Sequence, residues 1–205
     1  MTGCLLPRDV PAWLAAKPFL DVRSNDVHTL ISYSIARALL RLNAQAHEAM
    51  VLTAIIFHDV GWKKIPEEKL AASVGPNPKY PELQRVHEVE GVAIAAPLLA
   101  RLQVPGREAD AILAIIDGHD TRKHALSTED AIMKDADKLW RFTDHGIVTI
   151  AGWFGMSIKE CVRMLEDFVF PSLLTEDGRR MALAYLAIGE AQAWMPDMLA
   201  IGHAP

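Results

Sequence analysis

Apolar residues recur three and four positions apart along most of this chain, the spacing of one face of an α-helix. No segment alternates apolar and polar residues for long enough to indicate a half-buried strand. We therefore predict an all-α fold. Helices are expected over residues 24–42, 46–58, 82–102, 107–117, 127–142, 157–169 and 177–194. Residues 65–81, with four prolines and a glycine, are interpreted as a connection with one short helix at its start.

The length and composition are those of one globular domain. The 205 residues are 51% hydrophobic and 23% charged, which is an ordinary balance for a protein with a packed core. No repeat, low-complexity tract or linker divides the sequence. We expect a single domain over residues 1–205, with C-terminal helices of residues 157–195 packed on the rest.

Charge and hydropathy bear on partners and compartment. A net charge of -5 argues against a nucleic-acid-binding surface spread over the whole protein. The longest apolar runs are about half the ~20 residues needed to span a bilayer, and the N-terminus lacks the pattern of a signal peptide. Cys4 and Cys161 are expected to be free thiols, which fits a reducing, cytoplasmic location. The apolar segment 181–202 could cover another helix or another subunit of a homo-oligomer.

Some histidines lie on, or at the end of, the apolar stripes of separate helices. They are His28, His58, His87 and His119. One such histidine is more often a core residue with a single hydrogen bond than a ligand. An unpaired buried polar group costs roughly 1–3 kcal/mol, however, and one cation can satisfy several converging imidazoles. We therefore predict a metal site between the core helices, and surface positions for the other histidines, His47, His124, His145 and His203.

Two carboxylates can complete this set. Asp59 directly follows His58, and neighbouring helical residues point about 100° apart, so both reach one site only if an ion lies between them or the helix unwinds. Asp137 shares an apolar stripe with Trp140, whereas Asp135 points elsewhere and is interpreted as a surface residue or as support for a ligand. Four imidazoles and two carboxylates suit Mn, Fe, Co, Ni or Zn, and less well Mg or Ca alone. They fit one six-coordinate ion or, better, two ions sharing a bridging aspartate.

The order His28, His58-Asp59, Asp137 resembles the HD superfamily of metal-dependent phosphohydrolases, which is named for its His…His-Asp…Asp signature on a helical domain. The stretches "HTLISYSIARALL", "FHDVG" and "DADKL" all look like that family, over roughly residues 26–142. The resemblance implies that these residues are the basic metal set, with Asp59 bridging if two ions bind. His87 and His119 match the extra histidines of members with dinuclear centres, and the short distance from His119 to Asp137 is similar to that of small stand-alone HD phosphohydrolases.

The chain also departs from parts of that family. Trp62 stands where many signalling members have a lysine, three residues after the aspartate of the doublet. The sequence has no "GYP" motif, which argues against hydrolysis of cyclic-di-GMP. It shows no second catalytic or regulatory domain, which argues against an alarmone synthetase/hydrolase.

The resemblance implies hydrolysis of a phosphate ester of a nucleotide or another small phosphorylated metabolite by a metal-activated water. The candidate catalytic residues are Asp59, Lys63 and Asp120. Asp120 could orient a ligand, relay a proton or cap a loop. Other cations near the ligands in sequence could bind phosphate or be solvated surface residues: Lys64, Arg85, Arg122 and Lys123. Aromatic residues that could stack on a base, or in the case of Trp140 pack the core, are Trp62, Tyr80, Trp140 and Trp153.

Two alternatives remain open on the sequence alone. Some HD-superfamily proteins use the same ligand set for a mixed-valence di-iron centre that activates O₂ and cleaves a C–C or C–P bond. A degenerate HD domain could instead act as a binding module without catalysis. Missing ligands would mark that case, and none of the ligands is missing here.

Overall fold

The computed structural model describes residues 3–75 and 77–201 of the chain. Within them the chain forms α-helices and no β-strand, which confirms the all-α prediction. The helices are α1 (Val10–Ala16), α2 (Asn25–Leu42), α3 (Glu48–Phe57), α4 (Glu67–Leu70), α5 (Glu82–Arg101), α6 (Gly106–Ile116), α7 (Thr128–Leu139), α8 (Asp144–Phe154), α9 (Ile158–Met164) and α10 (Glu176–Ala200). Short 3₁₀ turns follow α1, α3 and α7.

Polar residues begin and end several of these helices. The hydroxyl of Ser127 accepts a hydrogen bond from the N–H of Asp130 at the start of α7, and thereby satisfies one of the free N–H groups of the first turn. Asn43 follows the last residue of α2, and its side-chain amide donates to the carbonyl of Leu39. Ser24 directly precedes α2 but makes no capping hydrogen bond.

Helix α3 lies in the middle of the core. Almost every residue of its last two turns is buried, so it has no polar face. It packs against α2, α6 and α7, while α5 packs on α6 and on the 3₁₀ turn Val60–Lys64 that follows α3. This arrangement brings the C-terminal end of α3 close to the faces of α2, α5 and α7 that carry histidine or aspartate.

Gly61 permits the close approach of that 3₁₀ turn to α5. A Cβ atom at residue 61 would lie 1.8 Å from the carbonyl oxygen of His87 and 2.5 Å from the nitrogen of Gly91. Any side chain would therefore force the turn away from α5. The glycine fixes the position of His87 relative to His58 and Asp59.

The C-terminal helices are attached through a buried carboxylate. Asp135 on α7 is fully buried and accepts hydrogen bonds from the N–H groups of Leu174 and Thr175 and from the Thr175 hydroxyl, just before α10. These charge-assisted bonds compensate for burial of the carboxylate. Asp135 is thus neither a surface residue nor in contact with the metal-ligand candidates, which corrects the prediction.

Three other features differ from the sequence predictions. The helix predicted over residues 157–169 is α-helical only to Met164 and continues as a π turn over Leu165–Val169, whose wider spacing rotates the later residues, and Phe168 is 69% exposed. Helix α10 continues through Pro196 beyond its expected end at Trp194. Helices α1 and α8 were not predicted.

None of the helices in the described part of the chain combines the length and hydrophobicity that a membrane-spanning helix needs. His203, predicted at the surface, lies outside the described residues.

Candidate metal centre

The His58-Asp59 doublet lies where α3 stops being helical. His58 keeps helical dihedrals, but Asp59 has φ -101° and ψ 4° and begins the following 3₁₀ turn. The backbone therefore unwinds between the two residues, so both side chains can turn toward the same centre. Both residues are buried.

Four side chains surround what we call the first half-site: His28, His58, Asp59 and Asp137. The Nε2 atom of His28 lies 3.2 Å from Oδ1 of Asp137 and 3.5 Å from Oδ2 of Asp59. The Nε2 atom of His58 lies 3.6 Å from each of the same two oxygens. Helices α2 and α7 and the end of α3 thus present two nitrogens and two oxygens to one point.

A second half-site lies on the other side of Asp59 and consists of His87, His119, Asp120 and Asp59 itself. The Oδ1 atom of Asp59 is 3.8 Å from Nε2 of His87 and 3.5 Å from Nε2 of His119. The Oδ2 atom of Asp120 is 3.6 and 3.9 Å from the same two nitrogens. Asp59 therefore has one carboxylate oxygen in each half-site.

The tautomers of two histidines suit a cation there. His58 and His119 each donate their Nδ1–H to the backbone carbonyl three residues earlier, at 2.7 and 2.9 Å. Their Nε2 atoms consequently carry lone pairs, yet they lie 3.0 Å from Nε2 of His28 and 3.2 Å from Nε2 of His87. Two imidazole nitrogens this close, with carboxylates beside them, repel each other through their lone pairs unless a proton or a metal ion lies between them. The residues present fit a metal ion.

Burial and the close contacts between imidazoles and carboxylates also shift the pKa values of the metal-free centre. Burial lowers the pKa of His119, but the adjoining carboxylates, Asp59 first, outweigh it and raise that pKa to about 10. Burial and the neighbouring His119 lower the pKa of His87 to about 4. Burial raises the pKa of Asp59 and of Asp137, but nearby positive groups outweigh it and shift both downward. The raised pKa of His119 and the lowered pKa values of Asp59 and Asp137 thus result from the same close contacts between imidazoles and carboxylates.

A buried polar scaffold holds the loop that carries His119 and Asp120. The fully buried carboxylate of Glu88 on α5 accepts hydrogen bonds from the N–H groups of Asp120 and Thr121 and from the Thr121 hydroxyl, at 2.6–2.9 Å. Lys134 on α7 is also buried and donates to two carbonyl oxygens of the same loop. These bonds fix the direction in which Asp120 points.

The two half-sites lie at the floor of a pocket of about 340 Å³. Aromatic side chains line its walls: Trp62, Trp140, Trp153, Phe154 and Phe168. Cationic side chains also line it: Arg23, Lys138 and Arg141. Arg141 contacts Asp137 at 3.4 Å and Asp120 at 4.0 Å, so it spans one carboxylate from each half-site.

The cations that the sequence singled out lie elsewhere. Lys63 is at the surface, 2.5 Å from Asp21, and does not line the pocket, so the structure does not support a catalytic role for it. Arg85 and Arg122 form ion pairs that hold the loop around residue 120. Lys64 and Lys123 are exposed.

Sequence reasoning therefore missed all three pocket cations. A signal existed for Arg141, which stands four residues after Asp137 on the same helical stripe. Lys138 follows Asp137 directly, whereas Arg23 precedes α2 and no periodicity marks it.

The remaining sequence predictions have mixed outcomes. Trp62, Trp140 and Trp153 line the pocket, but Tyr80 does not and instead lies between Lys69 and Lys79. His47 and His124 are exposed as predicted. His145 is half-buried beside Trp140, because α8 packs against the turn that follows α7.

Comparison with known proteins agrees with this geometry. The family model for the HD domain matches residues 25–141, which is more than half of the chain. The matched region contains every side chain of both half-sites. No curated protein and no solved structure was found to match the chain.

Proposed function

The chain belongs to the HD-domain family, and from that premise we propose that it is a metal-dependent phosphohydrolase that cleaves a phosphate ester of a small metabolite. The observation that carries the proposal is the pair of half-sites sharing Asp59 at the floor of a pocket that also holds cationic side chains. Nitrogen and carboxylate ligands of this kind suit Mn, Fe, Co, Ni or Zn. Two cations held by such ligands would suit the transfer of a phosphoryl group to water.

We assign the ligands by half-site. His28, His58 and Asp137 would hold one divalent ion, His87, His119 and Asp120 the other, and Asp59 would contact both. A divalent ion bound there would lower the pKa of water from about 16 toward about 7 and so would supply hydroxide at neutral pH. Asp120 is better placed as a ligand than as a proton relay, because its carboxylate faces both imidazoles of its half-site.

The protein's own side chains orient these ligands. His58 and His119 hold their Nδ1–H on backbone carbonyls, which directs Nε2 into the centre. Trp62 donates its indole N–H to Oδ1 of Asp59 at 3.1 Å and thereby limits rotation of the shared carboxylate. The positive charge of Arg141 lowers the pKa of Asp137, and it partly offsets the repulsion of an anionic substrate by Asp137 and Asp120.

The pocket supports a small substrate. Its volume of about 340 Å³ lies at the lower end of the range for metabolite sites. The aromatic walls suit a substrate with a planar or apolar group beside its phosphate, and a nucleoside monophosphate has both. We propose a nucleotide or a similar phosphomonoester as the substrate.

Phosphate release tests the proposal. The protein reconstituted separately with Mn²⁺, Co²⁺, Ni²⁺ and Zn²⁺ should release inorganic phosphate from at least one compound in a panel of nucleoside monophosphates and sugar phosphates. The His58→Ala variant should not. A protein that holds two irons per chain, consumes O₂ with a substrate and releases phosphate from none of the panel would instead be the oxygenase.

A further inference from the structure

Arg23 is held over the metal centre by an unusual backbone. It lies between the turn Lys17–Phe19 and α2 and has φ 53°, and its neighbour Ser24, directly before α2, has φ 58°. Two consecutive non-glycine residues in the left-handed region are energetically unfavourable, and such conformations concentrate at functional sites. The conformation carries the Arg23 side chain to the pocket wall instead of to solvent.

Two tryptophans contact the Arg23 guanidinium. Its central carbon lies 4.5 Å from the ring centroid of Trp153 and 5.1 Å from that of Trp62. Cation–π contacts of this kind hold the charged group without using its N–H groups as hydrogen-bond donors to an acceptor atom. Trp62 also stacks on His87 and donates to Asp59, so the same ring contacts both the arginine and the metal centre.

The Arg23 guanidinium has no acceptor among the residues that the structure describes. Burial lowers its pKa, and the charges of Asp59 and Asp120 offset that only at a distance, without a hydrogen bond. The other two pocket cations are already engaged. Arg141 pairs with Asp137, and Lys138 donates to the carbonyl of Ser172. A partly buried arginine whose donors are not paired within the chain, and none of whose nitrogens is enclosed, can donate to an anion that enters the pocket.

The charges of the pocket indicate which anion fits. The carboxylates of Asp59, Asp120 and Asp137 are balanced by the three pocket cations. Two divalent ions would therefore leave the pocket strongly positive, which suits a phosphoryl dianion. Arginine binds such a group through two parallel N–H···O bonds, which lysine cannot do.

We propose that Arg23 binds the phosphoryl group of the substrate and positions it over the shared carboxylate of Asp59. This inference deepens the proposed function and rests on it for the identity of the reaction. The anion-binding role itself can be tested without turnover. Arg23 is then a binding residue, and its strained backbone places the guanidinium where the ligand binds.

The experiment measures binding of inorganic phosphate to the metal-loaded protein by isothermal titration calorimetry. Arg23→Met removes the charge, and Arg23→Gly also removes the backbone strain, because glycine adopts positive φ without penalty. The matched control is Arg180→Met, which removes an exposed arginine on α10 that pairs with Glu176. We expect Arg23→Met and Arg23→Gly to bind phosphate at least tenfold more weakly, with unchanged metal content, and Arg180→Met to bind it like the wild type.

Equal phosphate affinity in the wild type and Arg23→Gly would overturn the proposal, as would a metal-loaded wild type that binds no phosphate. Loss of phosphate binding accompanied by loss of metal would also count against it, since the residue would then support the metal centre. Phosphate binding that depends on Arg23, in a protein that cleaves none of the esters, would leave this inference standing while the proposed reaction fails.

Discussion

At the scale of single residues, Asp59 links the two halves of the centre. Its Oδ2 atom faces His28 and His58, and its Oδ1 atom faces His87 and His119. This is possible because the backbone leaves the helix directly after His58, so that adjacent residues reach one point. The indole of Trp62 holds the carboxylate in that orientation.

Gly61→Ala tests how far the candidate metal centre depends on the close contact between the turn after α3 and helix α5. The new Cβ would overlap the carbonyl oxygen of His87, so the turn after α3 must move away from α5. We expect the free energy of unfolding of the metal-free protein to fall by about 1–3 kcal/mol. The second half-site should also lose affinity, because His87 shifts relative to Asp59.

Urea unfolding and calorimetric metal titration measure these two effects. Gly152→Ala in α8 is the control, since nothing lies within 4 Å of its Cβ. That variant should be as stable as the wild type or slightly more stable. Unchanged stability and metal affinity in Gly61→Ala would contradict the packing described here.

The stability of the metal-free protein should depend on pH through His119. The carboxylates beside it raise its folded pKa to about 10, above the unfolded value of about 6.5. Its contribution to stability is therefore complete below pH 6.5 and is lost as the pH rises toward 10. Urea midpoints of the metal-free protein should decline over that window. The metal-loaded protein should lack this decline, because a bound ion replaces the proton; identical profiles would show that no ion occupies the site.

The sequence predicted the histidines of the site and missed the pocket cations Arg23, Lys138 and Arg141. His28, His87 and His119 share helical stripes with apolar residues, so periodicity alone turns them toward the core. Asp120 and Arg23 lie outside helices, and their directions depend on contacts with distant parts of the chain. Glu88 orients the loop of Asp120, and two tryptophans orient Arg23, which no local pattern reveals.

At the scale of elements, the loop after α6 positions two of the candidate ligands, His119 and Asp120. The buried side chains of Glu88 and Lys134 hold this loop through hydrogen bonds to its backbone. Burial raises the pKa of Glu88, but hydrogen bonds from Thr121 and Arg85 outweigh it and keep the carboxylate charged. The charged carboxylate of Glu88 accepts from the backbone N–H groups of Asp120 and Thr121, which have no helical partner.

Glu88→Gln should loosen this loop. The amide of glutamine would present N–H to donors that now face an oxygen, and leaving buried donors unpaired costs about 1–3 kcal/mol. We expect weaker metal binding at the second half-site and little change at the first, as measured by calorimetric titration. Glu82→Gln, on the exposed start of the same helix, should change metal affinity at neither half-site. An equal loss of metal affinity in Glu88→Gln and Glu82→Gln would contradict the anchoring role of Glu88.

The sequence predicted the existence of most helices better than it predicted the residues at which they begin and end. The bounds of α2, α3, α5, α6 and α7 agree with the predicted ranges to within a few residues. The π turn after α9 was not predictable, because a single extra residue in one turn leaves the composition unchanged and only rotates the side chains after it. Helix α8 was missed because two glycines and short polar residues interrupt its pattern.

At the scale of the whole molecule, buried charge is concentrated in and around one pocket. The net charge is -5, yet acidic and basic side chains around the pocket balance until metal ions are added. Helices α2, α5 and α7 and the segments after α3 and α6 supply ligands from widely separated parts of the sequence. The sequence order of the ligands indicated the family, whereas the pocket volume and its aromatic walls required the packed structure.

The most direct test of the central claim is the number of metal ions per chain, measured by elemental analysis after reconstitution with Mn²⁺, Co²⁺, Ni²⁺, Zn²⁺ or Fe²⁺. We expect two ions in the wild type and in His124→Ala, which replaces an exposed histidine outside the centre. We expect one ion in His28→Ala and one in Asp120→Asn, because each variant disrupts a different half-site. A wild type that binds no ion, or variants that retain both, would contradict the account of a two-metal centre built around Asp59.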